Sequence, residues 1–218
     1  MLGVDEILSD IEAHARQIVY TIGREAVDVY GFLCDEFARG AADKNCVFQF
    51  VYRSFYRLDN AGLTDDFKKR YFELMEMERS RKLPEVDLKS LKRLVEDLHP
   101  IPNRRGQESL QFSFVTKLAN TVNNQYPIYD AQVAKAFDFH PPSNDKTFDV
   151  RLNEYMSFYA LLRDTCQDTL TRNLLAGPRR DFRELYAAPP EKIPDTKVLD
   201  FIFWSYGKLK RSFEPDQA

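Results

Sequence analysis

The sequence predicts an all-α protein, and three observations carry that prediction. Apolar residues recur at spacings of three and four over most of the chain, no stretch of useful length alternates apolar and polar residues as a half-buried strand would, and no repeat or heptad array points to a solenoid or coiled coil. With 218 residues at 44% hydrophobic, the chain can bury a substantial core as one large domain or two packed lobes.

The elements follow in order. Val4 to Phe37 reads as one long helix or two, with Ile7, Ile11, Ile18, Ile22, Val29, Phe32 and Leu33 as apolar positions and Gly23 as a break. Asn45 to Leu58 is a short aromatic-rich helix containing Phe48, Phe50, Val51, Phe55 and Tyr56. Thr64 caps a helix from Asp65 to Met77, and Pro84 opens or precedes one that reaches Leu98. Ser109 to Val122 is helical, and a turn leads to a further helix from Ala131. Pro141-Pro142-Ser143-Asn144 forms a loop before a helix from about Phe148 to Leu175, which Gly177-Pro178 ends. Arg180 to Tyr186 is short, Pro189-Pro190 connects, and Asp195 starts a last helix bearing Val198, Leu199, Ile202, Phe203, Trp204 and Leu209. Residues 1–214 form one globular unit in this reading, with 215–218 a disordered tail.

Composition excludes several classes. Cys34, Cys46 and Cys166 are odd in number and far apart, so they form neither a disulfide framework nor a CxxC metal site, and we expect buried or half-buried thiols in a reducing cytoplasm. No signal peptide, membrane-length apolar run or lipidation signal opens or closes the chain, so no membrane partner is expected. His14, His99 and His140 are scattered, and neither a P-loop nor GxGxxG occurs, so the sequence calls for no metal, no nucleotide and no other cofactor. Net charge is −3, which speaks against a general nucleic-acid coat but allows a local basic track. The basic groups at Lys68 to Arg70, Arg79 to Lys82, Arg179-Arg180 and Lys208 to Arg211 read as solvated helix faces. Arg104-Arg105 is the exception, set in a Pro-Ile-Pro-Asn-Arg-Arg-Gly loop.

The segment from Gln107 to Phe137 stands out, because a chain that is 30% charged carries only Glu108, Lys117, Asp130 and Lys135 there. At the chain average such a stretch would carry about nine charges, so it is buried or faces a pocket, where a retained lysine and aspartate need partners or a function. Phe112, Val115, Ala119 and Val122 make one apolar helix face, and Ser113, Lys117, Asn120 or Thr121, and Asn124 form a second stripe of uncharged groups around one amine. Asn123 to Pro127 breaks the helix, and Asp130 stands at the N-cap of the next. The plainer readings are a surface lysine lying over Phe114 and an aspartate that only caps.

The order helix with lysine, polar turn, then Pro127-Ile128-Tyr129-Asp130 opening a helix through Val133 resembles the core of the helix-hairpin-helix DNA glycosylases, in particular divergent bacterial proteins related to 8-oxoguanine DNA glycosylase. The likeness covers about thirty residues, on a spacing-based motif of moderate specificity. It implies two helical lobes, discontinuous in sequence, with the active site in the cleft between them. It further implies that Lys117 matches the nucleophilic lysine and Asp130 the essential aspartate of a DNA repair enzyme, a glycosylase with AP lyase activity that excises an oxidised purine such as 8-oxoguanine from damaged duplex DNA. Gln111 to Lys117 holds none of the glycines of the family's hairpin, and Lys117 and Asp130 are 13 residues apart, a shorter interval than in the standard enzymes. The lysine and aspartate carry over on this reading, and the phosphate-binding hairpin does not. Arg104, Arg105, Ser113, Asn120 and Asn124 are the candidate DNA contacts. The alternative is a noncatalytic helical DNA-binding or protein-interaction module, in phage-defence or mobile-element biology, which the net negative charge and the missing glycines favour.

Overall fold

The computed structural model describes residues 3–81 and 87–213. These form eleven α-helices and one 3-10 turn at Leu58–Ala61, with no strand among the described residues. The all-α expectation is met.

The stretch expected to hold one or two helices holds three: α1 (Val4–Ala13), α2 (Ala15–Ile22) and α3 (Arg24–Ala38). Gly23 makes the expected break at φ +82°, a left-handed conformation that strains any side chain. The unexpected break is at His14, whose ring lies 3.0 Å from the Asp10 carboxylate and stacks on Phe213 at 4.0 Å. Tertiary stacking at the far end of the chain has no local sequence signal. Phe32 is also less buried than its spacing suggests.

Asn45 caps α4 (Cys46–Tyr56), its side chain accepting from the Phe48 N–H, and Thr64 Oγ1 accepts from the Phe67 N–H to start α5 (Asp65–Arg81), which runs one turn beyond Met77. Phe50, expected on an apolar face, is 65% exposed, and Cys46 is exposed rather than buried. Asp87 caps α6 (Leu88–Leu98) through the Lys89 and Ser90 N–H groups. Pro84 and the tail at 215–218 lie outside the described residues.

The remaining helices are α7 (Phe112–Val122), α8 (Ala131–Ala136), α9 (Phe148–Thr171), α10 (Ala176–Tyr186) and α11 (Asp195–Phe213). Gly177-Pro178 does not end a helix. It lies in the first turn of α10, where proline's missing N–H is one that no helical carbonyl would have bonded. The break falls instead at Asn173 and Leu175, both with positive φ.

Helix α11 is the central strut, lying along α8, α2, α10 and α9, while α7 packs on α5 and α6. An aromatic layer joins α7, α8 and α9: Phe112 stacks on Tyr155 at 5.0 Å, Phe139 on Phe158 at 4.2 Å, and Phe137 meets Phe203 of α11 edge-on at 5.1 Å. This layer fixes α7 and α8 relative to α11; α7 carries Lys117, α11 carries Lys197 and Asp200, and Asp130 caps the start of α8. Among the described residues, no helix is long and apolar enough to cross a membrane.

Candidate functional site

Helix α7 is held on all sides. The Tyr71 hydroxyl of α5 donates to the Phe114 carbonyl at 2.8 Å, and the Tyr52 hydroxyl of α4 lies 2.9 Å from it and 3.3 Å from Thr121 Oγ1. Burial pushes all three tyrosine hydroxyls nearby, Tyr52, Tyr56 and Tyr71, well above their ordinary pKa, so they stay neutral donors.

The turn after α7 has its backbone groups met one by one. Asn120 donates to the Tyr126 carbonyl at 2.7 Å, Tyr159 to the Pro127 carbonyl at 3.0 Å, and Thr116 Oγ1 accepts from the Tyr129 N–H at 3.1 Å. The Ile128 N–H donates to Asp200 Oδ1 at 3.0 Å, and the Tyr126 hydroxyl accepts from the Asp87 N–H at 2.9 Å. Four helices thus clamp the segment that delivers Asp130.

Lys117 is 8% exposed. Its amine donates to Ser113 Oγ at 3.1 Å and lies 5.0 Å from the Phe114 ring centre and 5.7 Å from that of Tyr56. Burial pushes its pKa down to about 8; the Asp130 charge opposes the shift, while Lys197 and Arg57 add to it. A fraction of the amine is therefore neutral near pH 7, the form that can attack an electrophile. The surface-lysine reading does not describe this residue.

Asp130 is half-buried, and its Oδ1 accepts from both the Gln132 and Val133 N–H groups, at 2.8 and 3.0 Å. The capping role is present. Oδ2 takes no hydrogen bond among the described residues, and no ion pair within 4.0 Å joins Asp130 to Lys117, so the two act on one another through space. One oxygen serves the helix and one is left over.

The other expected site residues divide. Ser113 stands beside Lys117 as the helical spacing requires. Asn120 is only 1% exposed and bonded inward, so it serves the turn and is no DNA contact in this conformation; the spacing placed it on the amine's stripe, but at Asn120 that stripe is covered by the turn. Asn124 is exposed in the turn. Arg104 and Arg105 are exposed in a loop built on Asn103, whose Oδ1 accepts from the Arg105 and Gln107 N–H groups at 2.8 and 3.2 Å. The Arg104 N–H anchors that loop to the Gly62 carbonyl at 2.8 Å, beside the turn that starts at Arg57. Neither Arg104 nor Arg105 has a carboxylate within ion-pair distance among the described residues, whereas Lys68, Arg70, Arg79, Arg81, Arg179 and Lys210 all do.

Sequence reasoning missed Lys197 and Asp200 of α11, 3% and 5% exposed and 3.6 Å apart. A signal was there: from Val198 to Gly207 the only charged residue is Asp200, the same charge-poor pattern that exposed Lys117 and Asp130. Two surface hollows, one lined by Glu73, Glu76 and Met77 and one by Phe139, Val150 and Leu161, lie away from this cluster.

Comparison with family models, with curated proteins and with solved structures found no match to this chain.

Proposed function

We propose that this chain is a DNA glycosylase of the helix-hairpin-helix type with AP lyase activity, acting on an oxidised purine such as 8-oxoguanine. The observation that supports it is the Lys117 amine, held in an apolar box with a lowered pKa and acted on by the Asp130 charge across a rigid turn. In this reading the neutral amine attacks the sugar C1′, the bond from C1′ to the base breaks, and the base leaves with that electron pair and takes up a proton. Loss of the amine proton and opening of the sugar ring then give a Schiff base, from which β-elimination cuts the strand. Asp130 Oδ2 faces the positive charge that develops on the sugar. Arg104 and Arg105 contact phosphate, and the flipped nucleotide enters between two helical lobes.

Lys117 is mostly buried, which favours the second reading, a noncatalytic helical binding module. Borohydride trapping separates the two. Duplexes carrying 8-oxoguanine, an abasic site or undamaged guanine are incubated with the protein and with Lys117→Gln. The glycosylase reading expects a covalent adduct that needs damage and is lost in K117Q. Absence of both adduct and released base from every damaged duplex leaves the binding module.

A further inference from the structure

A second buried lysine and aspartate stand behind the first pair. Asp200 Oδ1 accepts from the Ile128 N–H at 3.0 Å, and its Oδ2 lies 3.4 Å from Asn120 Nδ2 and 3.6 Å from Lys197 Nζ. Asn120 follows Lys117 by three residues and Ile128 precedes Asp130 by two, so one carboxylate grips the chain on both sides of the turn. The Lys197 amine lies over the Tyr30 and Phe201 rings at 4.6 and 4.9 Å, with Cys34 of α3 also close enough to interact. Burying two charges in an otherwise apolar stretch of helix is unfavourable, and neutral or apolar side chains of like volume would stabilise the fold as well or better.

We propose that Lys197 and Asp200 are positioning residues for Lys117 and Asp130: Asp200 fixes the turn that sets their separation, and Lys197, seated over the Tyr30 and Phe201 rings 3.6 Å from Asp200, balances that carboxylate. This rests on the reading of Lys117 as a nucleophile. The groups that face Lys117 are Ser113 on its own helix, Tyr56 and Arg57 at the end of α4, Asp130 at the start of α8 and Lys197 on α11. Those that face Asp200 are Lys197, Asn120 and the Ile128 N–H, with Asp130, Tyr30, Tyr159 and Cys166 within electrostatic reach. Burial lowers the Lys197 pKa and raises that of Asp200 to about 6, and each opposes the other's shift.

The test uses the full chain without DNA. The pH dependence of Lys117 labelling by an amine-reactive reagent is read by mass spectrometry, and amide hydrogen exchange is read at Ile128. Lys197→Met is expected to raise the labelling midpoint by about one pH unit, the effect of one nearby charge. Asp200→Ala is expected to speed Ile128 exchange at least about tenfold, and Asp200→Asn, which keeps an acceptor, to restore most of the protection. An unmoved midpoint in K197M, or unmoved exchange in D200A, overturns the proposal. If K197M fails to fold because Asp200 is left buried without its partner, the double variant K197M/D200N carries the labelling test, an upward shift again expected and an unmoved midpoint overturning the proposal; if D200A fails to fold, K197M/D200A, which buries no unpaired charge, carries the exchange test on the same terms. These readouts need no damaged DNA, so a failed trapping experiment with shifted labelling would remove the glycosylase reading and leave the positioning network in place.

Discussion

Gly207 of α11 lies directly against the Gln132 carbonyl of α8, so closely that a Cβ at position 207 would stand 1.9 Å from that oxygen and 3.1 Å from the Ala136 nitrogen. Both neighbours are backbone and cannot rotate away. The helix that Asp130 caps is thus seated on the strut that carries Lys197 and Asp200, and the absence of one methyl group permits it.

Gly207→Ala must push α8 off α11. The expected loss is at least about 2 kcal/mol of stability, in the range of overpacked cores, set against the roughly 1 kcal/mol that alanine normally gains over glycine inside a helix. Urea unfolding followed by circular dichroism measures it. A neutral or stabilising result would mean that the two helices do not pack this closely.

Asp130 has two separable roles. Asparagine caps a helix about as well as aspartate, so Asp130→Asn should fold with stability within about 0.5 kcal/mol of wild type, whereas Asp130→Ala should lose about 1 kcal/mol. Both should lose adduct formation if the charge matters. Activity retained in D130N would assign the residue to capping alone.

Burying Lys117 opposes folding in a pH-dependent way. An amine whose folded pKa is about 8 and whose unfolded value is near 10.5 binds fewer protons folded than unfolded between those limits. Its penalty is complete below pH 8 and fades as the pH rises toward the unfolded value. Lys117→Met is therefore expected to be more stable than wild type at pH 7, by about 1 to 3 kcal/mol, with the gap closing by pH 10. Denaturant titrations at the two pH values test it; a variant less stable at pH 7 would show that the ammonium is better solvated than its burial implies.

Thr116→Val removes the acceptor for the Tyr129 N–H while keeping the side-chain shape. A buried N–H left without a partner costs about 1 to 3 kcal/mol, and faster amide exchange at Tyr129 should accompany the loss. Unchanged exchange would mean that water replaces the hydroxyl.

If Arg104 and Arg105 contact phosphates, changing both to alanine should weaken duplex binding alike for damaged and undamaged DNA. The slope of log affinity against log salt should fall by about two, since each phosphate contact contributes about 0.9. An unchanged slope would remove this loop from the interface.

Several features of the fold were legible locally. Asn45, Thr64, Asp87 and Asp130 are side chains that bond the next turn's N–H groups, and helix starts at three of them follow from residue type and spacing. The lysine and aspartate of the site were legible because their neighbours carry no charge. The break at His14 and the full burial of Asn120 were not: His14 stacks on Phe213, 199 residues away, and Asn120, which bonds the nearby Tyr126 carbonyl, is also covered by Asp200, 80 residues away.

By itself, then, the sequence determined the helical class, most helix starts and the isolation of Lys117 and Asp130, since periodicity, caps and charge depletion act within a few turns of chain. Tertiary structure alone decided that a buried lysine and aspartate of α11 come within electrostatic reach of these two residues, and that the turn between them is held by Thr116, Tyr159 and Asp200. Burial and long-range electrostatics depend on which surfaces are brought together, and no local pattern specifies that.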